Sequence, residues 1–273
     1  MTMKWIGKVA GGLLGGLVLG PVGAALGVLV GHQFDEQSDA ALPPPQPEEL
    51  AAIGECFFRA TFRVMGCLAK ADGRVSQLEI TAARGIMDEL RLNEPQVRAA
   101  IAAFTVGKSS DFELDAELAG LAQACRGRPG LTSVFLEIQV RAALAGNNLE
   151  GPVRPLLQHI ARSLEIAALE FAHIEAVLRI QRAAFRSGRP DGPQGSTAAA
   201  GARELQEAYR VLESSPGASD AEVAKAYRRQ LQRHHPDKLK ANGLPESMLA
   251  HAKQRTQQII EAWDLVRVRR GIR

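Results

Sequence analysis

The chain has little from which to build sheets. Aromatic residues are 5% of its 273 residues, with two tyrosines and two tryptophans, and no stretch of useful length alternates apolar with polar positions as a half-buried strand would. Helices remain, and a composition rich in alanine, leucine and arginine favours them. Cysteine is as scarce. Cys56, Cys67 and Cys125 are odd in number and form no Cys-x-x-Cys pair, so reduced, buried thiols in a reducing compartment are expected. None of the six histidines stands four residues from another, the spacing a helical zinc site uses. No Gly-x-Ser-x-Gly or cysteine-protease signature is present either, which leaves no nucleophile to read as catalytic. No catalytic residue, metal site or cofactor is therefore expected.

Charge is missing from one long run. The 23 residues of "VAGGLLGGLVLGPVGAALGVLVG", Val9 to Gly31, carry none, and as a helix they would reach roughly 34 Å, enough for a hydrocarbon core of about 30 Å. A transmembrane helix over about 9–31 is predicted, with Trp5 on one side and His32, Asp35 and Glu36 on the other as interface markers. Gly11 and Gly15, and Gly12, Gly16 and Gly20, recur four apart. That spacing makes a groove suited to a second copy of the helix, hence a homodimer, although glycine is also simply common in membrane helices. Lys4 and Lys8 precede the span and no Lys or Arg occurs in residues 31–50, so the charge rule alone would keep the N-terminus in the cytoplasm.

Two breaks divide the chain beyond the span. Residues 38–49, "SDAALPPPQPEE", read as a short proline-rich spacer, and residues 186–202, "RSGRPDGPQGSTAAAGA", as a flexible linker. Between them, residues 50–185 show helical periodicity throughout, as in Phe57, Thr61, Val64 and Leu68. An all-α bundle is predicted. It contains a faint repeat, with "ADGRVSQLEITAARGIMDELRL" from Ala71 lying over "AGNNLEGPVRPLLQHIARSLEI" from Ala145 at an offset of 74. The turn at Asp72 supplies only Asp72 and Glu79 as oxygen ligands, too few for a calcium loop, and reads instead as a tight turn with Ser76 as helix N-cap. On "ADGRVSQLE" and its degenerate second copy, this half of the chain resembles the TerB-like helical domains of tellurite resistance. Gly146-Asn147-Asn148 stands where that family often has Ala-Asp-Gly, so the metal binding proposed for the family is not expected here.

The net charge is only +3, but residues 203–273 hold 14 Lys and Arg against 9 Asp and Glu, a surplus of 5, which leaves 3 − 5 = −2 for the rest. A short helix, "RELQEAYRVLE", is succeeded by a Pro216-Gly217 turn and then by "SDAEVAKAYRRQLQRH", with Ser219 or Asp220 as N-cap. Val223, Tyr227 and Leu231 form the inward stripe of that second helix, and Lys225, Arg228, Arg229 and Arg233 are left for solvent. Pro236 cannot continue a helix and pushes His235 to extended geometry, so His235, Pro236 and Asp237 are placed in a loop at the tip of the basic helix, with Lys238 beyond. A third helix runs from about Pro245 to Arg270 and packs back.

"EAYRVLE", "AEVAKAYRRQLQRHHPDKL" and "IIEAWDLV" together resemble the J-domain of DnaJ-type co-chaperones, whose hallmark is His-Pro-Asp. The whole order of span, helical unit, linker and J-domain is similar to membrane-anchored bacterial co-chaperones of that group. The resemblance implies a non-enzyme that docks on a DnaK-class chaperone and stimulates its ATPase. Lys225, Arg228, Arg229, Arg233 and Lys238 would steer towards an acidic surface, while His235, Pro236 and Asp237 act on the partner. It also implies a single-pass inner-membrane protein whose bulk faces the cytoplasm, where ATP is, against the lysine count. Client proteins are not specified by the sequence. Two other readings are a tether or sensor in which the helical unit is primary, and a basic nucleic-acid-binding module. The latter lacks a helix-turn-helix pattern, and no nucleic-acid partner is expected.

Overall fold

The computed structural model describes residues 46–186 and 197–272, which belong to one compact unit, Gln46–Arg273. The expected span over 9–31, its glycines and the stretch 187–196 lie outside the described residues. No helix among the described residues is long and apolar enough to cross a membrane.

The helices are α1 (Pro47–Ala69), α2 (Gln77–Glu89), α3 (Glu94–Gly107), α4 (Leu114–Ala124), α5 (Pro129–Asn147), α6 (Val153–Ser163), α7 (Ala168–Arg186), α8 (Thr197–Val211), α9 (Asp220–His234), α10 (Pro236–Ala241) and α11 (Leu249–Arg270), with a 3-10 turn at Glu246–Met248 before α11. No strand occurs among the described residues, and the all-α prediction holds. Helix starts obey local chemistry. The end of the expected proline spacer is already helical, because Pro47 sits in the first turn, where its missing N–H costs nothing. Ser76 caps α2 as predicted, its Oγ accepting from the Glu79 N–H at 3.2 Å while its own N–H donates to Glu79 Oε2 at 2.8 Å. Asn93 and Gln96 build the same reciprocal cap on α3.

Helix α5 is the axis of the first seven helices. It packs against α1, α2, α6 and α7 and is buried along nearly its whole length. Phe57 of α1 meets Phe135 of α5 edge to face, with ring centroids 5.9 Å apart. Paired positions of the internal repeat are buried alike: Ala83 with Leu157, Ile86 with Ile160, Leu90 with Leu164. The turns differ. Asn148 and Leu149 adopt positive φ before α6, and its cap position falls at Pro152, without a side-chain bond and two residues beyond Glu150, the counterpart of Ser76.

The C-terminal hairpin has its own small core of Ala208, Tyr209, Leu212, Val223, Ile259, Ala262 and Val266. Its first helix, α8, begins at Thr197, inside the stretch expected as a linker. Leu239, Leu244, Met248 and Ala252 of the same hairpin belong instead to the core of α1–α7. Of the cysteines, all free, Cys125 is buried and its thiol is pushed by that burial up to about 12, whereas Cys56 and Cys67 are only half-buried.

Candidate functional site

The site is organised by α9. Ser219 and Glu222 form a reciprocal cap at its start, and Asp220 and Glu222 in the first turn with Arg233 in the last complement the helix dipole. Tyr227 stacks on Trp263 of α11 with centroids 4.8 Å apart and planes 10° off parallel, which fixes the spacing of the hairpin's two long arms. Arg270 closes the far end, donating to the Tyr209 hydroxyl, to the carbonyls of Pro216 and Ala218 at 2.7 Å each, and to Asp220 at 2.9 Å.

At the tip, Pro236 ends α9 as predicted, and His235 is extended at φ −61, ψ 125. The three residues are not in an open loop, however. Pro236 opens α10, and the His235 Nδ1 accepts the Asp237 N–H at 3.2 Å, so the imidazole caps a new helix. A proline is well placed in a first helical turn, having no N–H to lose. The cap leaves Nδ1 as acceptor and Nε2 as the outward nitrogen. Thr256 of α11 donates to the His234 carbonyl at 2.9 Å, meeting one of the carbonyls that the end of α9 leaves open. The His235 and Asp237 side chains are 44% and 92% exposed, so the motif is presented outward from a fixed backbone.

Lys225, Arg228, Arg229 and Lys238 lie on the outer side of the hairpin, none of them buried. Arg229 pairs with Glu213 at 3.2 Å. Arg233 departs from the expected solvent face: its side chain is 21% exposed, and it reaches Glu170 of α7 at 2.8 Å and Glu213 at 3.7 Å. The inward stripe also differs, because Leu231 is only half-buried while Gln230 and His234 are buried.

The reason for that polar stripe escapes the sequence reading. Buried Glu137 of α5 faces Arg255 at 3.4 Å, His251 at 3.2 Å and His234 at 4.0 Å. Burial would raise its pKa, but Arg255, His234 and His251 outweigh burial and hold the carboxyl well below the usual range. The ionised carboxylate then accepts from the His251 Nε2. A charged guanidinium in contact with the carboxylate disfavours a metal cation there. The signal available in the sequence is Glu137 itself, a lone carboxylate within the apolar run "SVFLEIQV", since a charge buried in a core needs a partner.

Burial also lowers His234 to about 4, from an ordinary 6.5, with Arg255 and Arg233 adding to the shift and Glu137 opposing it. Its native form is thus neutral at neutral pH. Unfolded chains take up a proton near the ordinary value while the native chain refuses it down to about 4, so stability is fully present above that window and falls as pH drops through it. The shift corresponds to about 3 kcal/mol. Unfolding midpoints of the full chain in detergent should fall between pH 7 and pH 4.5, and His234→Phe should flatten that slope; an unchanged slope would show that another group titrates.

A helical hairpin with its arms stacked, a basic outer face and His-Pro-Asp at the tip defines a J-domain co-chaperone. Comparison with known proteins agrees: a family model for the DnaJ domain matches residues 195–268, and one for the co-chaperone DjlA transmembrane domain matches residues 3–41. The chain belongs to the DjlA co-chaperone family. Co-chaperone protein DjlA of Coxiella burnetii is 41% identical over 275 residues, covering 97% of this chain and 98% of that protein. The Vibrio cholerae protein of the same name is 39% identical, covering 99% of this chain and 100% of its own length. The Photobacterium profundum protein is 38% identical over 98% and 99% of the two chains. No solved structure matches the chain.

Proposed function

We propose that the chain is anchored in the inner membrane by residues 9–31 and that its J-domain, from about residue 203, binds a DnaK-class chaperone and stimulates its ATPase. The observation that carries this reading is the His235-capped tip: His235 and Asp237 project outward from a rigid turn directly after a helix bearing Lys225, Arg228 and Arg229. Rigid presentation lowers the ordering cost of docking. A cationic row on an outer face speeds encounter with an acidic surface. The chain would make and break no bonds itself. Because its partner consumes ATP, the J-domain is placed in the cytoplasm, and the two N-terminal lysines are too small a bias to prevent that orientation. Gly11, Gly12, Gly15, Gly16 and Gly20 would form the contact of a homodimer within the membrane.

Single-turnover hydrolysis by the cognate chaperone tests the reading. The full chain should accelerate it, and His235→Gln or Asp237→Asn should abolish the acceleration without loss of fold. His235→Gln removes the ring that caps α10, and Asp237→Asn removes an exposed charge while leaving the cap intact. Full acceleration by both variants would refute the assignment. Nucleic-acid affinity measured alongside them separates this reading from a phosphate-binding one.

A further inference from the structure

The side of the tip that faces α5 and α7 is closed by the chain itself. A Cβ placed on Gly130, in the first turn of α5, would lie 2.6 Å from the Arg233 carbonyl oxygen and 3.0 Å from Leu239 Cδ2. Backbone therefore meets backbone there, and nothing can insert between α5 and the end of α9. Beyond α10, Gly243 adopts φ +98 and a Cβ on it would lie 2.8 Å from Ile53 Cγ2 of α1, so that segment is seated equally closely. Leu239 is buried beneath the tip. Beside this seam, Glu170 accepts from the Ser133 hydroxyl at 2.8 Å and from Arg233 at 2.8 Å. The carboxylate is thus held in place by α5 and aimed at one cation of the docking row.

We propose that the helical unit of α1–α7 is a built-in competitor for the chaperone, in which Glu170 occupies Arg233 and the α5 seam restrains the tip until a partner with stronger acidic complementarity displaces it. The proposal rests on the docking role of the J-domain. Its ground is the set of partners Arg233 already has: a guanidinium paired with Glu170 and near Glu213, and mostly buried, must leave Glu170 before it can serve an external carboxylate. His235 and Asp237 remain exposed. The arrangement therefore weakens docking without hiding the trigger. The buried contact of Glu137 with Arg255 and His251 latches the same two parts together.

Two variants of the full chain in detergent open the contact by different means. Glu170→Gln keeps the shape and the bond from Ser133 but removes the charge. Gly130→Ala adds only the Cβ that the seam has no room for, and alanine otherwise favours the helix. Both should lower the concentration giving half-maximal stimulation of single-turnover hydrolysis by about three- to tenfold, the range of one partly buried ion pair. Arg233→Ala should make stimulation insensitive to Glu170→Gln, which identifies the cation being contested. Amide hydrogen exchange over residues 233–244 should quicken in Gly130→Ala while residues 77–107 are unaffected. Unchanged exchange would mean that the seam is not closed in solution, and quickened exchange without any gain in stimulation would mean that it does not compete; either overturns the proposal. Absence of stimulation by the unaltered chain would instead remove the docking role, and this inference with it.

Discussion

Replacing Glu137 by alanine should lower the stability of the full chain by about 3–5 kcal/mol, the range seen when one partner of a buried ion pair is removed. The loss comes less from attraction forgone than from what remains. Arg255 is itself buried, cannot shed its proton, and would be left without its carboxylate in a site from which water is excluded. His251 would lose its acceptor, and His234, neutral at the start, would lose the neighbouring charge that favours its protonated form. A second arm separates charge from shape. Glu137→Leu combined with Arg255→Met removes both charges and should recover most of the loss, because apolar replacement of a whole buried pair is often neutral or better. Urea unfolding in detergent reads both. A Glu137→Ala midpoint indistinguishable from the parent would mean that the carboxylate and guanidinium are not in contact.

Gly107→Ala should cost about 3 kcal/mol or more, although alanine is the better helix former by about 1 kcal/mol. Helices α1 and α3 cross at Gly66 and Gly107. A Cβ on Gly107 would lie 1.7 Å from the Arg63 carbonyl oxygen, and one on Gly66 would lie 2.2 Å from that of Phe104. Each obstacle is backbone inside a helix, so it cannot swing aside as a side-chain end would. The two helices must move apart, loosening Val64, Met65, Ala103 and Phe104 along the seam. Gly66→Ala should behave alike. The double variant should cost less than the sum, since one separation relieves both clashes. Thermal unfolding decides the sign: a rise in midpoint for Gly107→Ala would mean that helix propensity prevails and the two backbones are not in contact at the crossing.

These two sites also show where a linear reading stops. The period of apolar residues identifies a buried face without help, which is why Phe57, Val64, Leu68 and Val223 are legible as core. Caps are local too, and Ser76 declares itself by its position before an apolar run with Glu79 three residues on. His235, Pro236 and Asp237 can be located because proline ends a helix wherever it falls, but the short α10 cannot, since His235 acts as a cap only through its ring. What periodicity cannot supply is the identity of the surface opposite. Nothing near Glu137 in sequence announces Arg255, and nothing near Arg233 announces Glu170. Helical spacing assigns the basic row to solvent as one set, yet its last member is turned inward by a carboxylate 63 residues earlier.

Leu239, Leu244, Met248 and Ala252 complete the same core as Ile53, Phe57 and Leu131. Those four residues come after α1–α7 in the chain, so during synthesis α1–α7 leave the ribosome with one wall of their interior missing. α1–α7 cannot complete that core until residues 239–252 arrive, and a chain released early, short of residue 239, would expose that wall. This J-domain co-chaperone is thus built so that its own earlier part is finished by its J-domain.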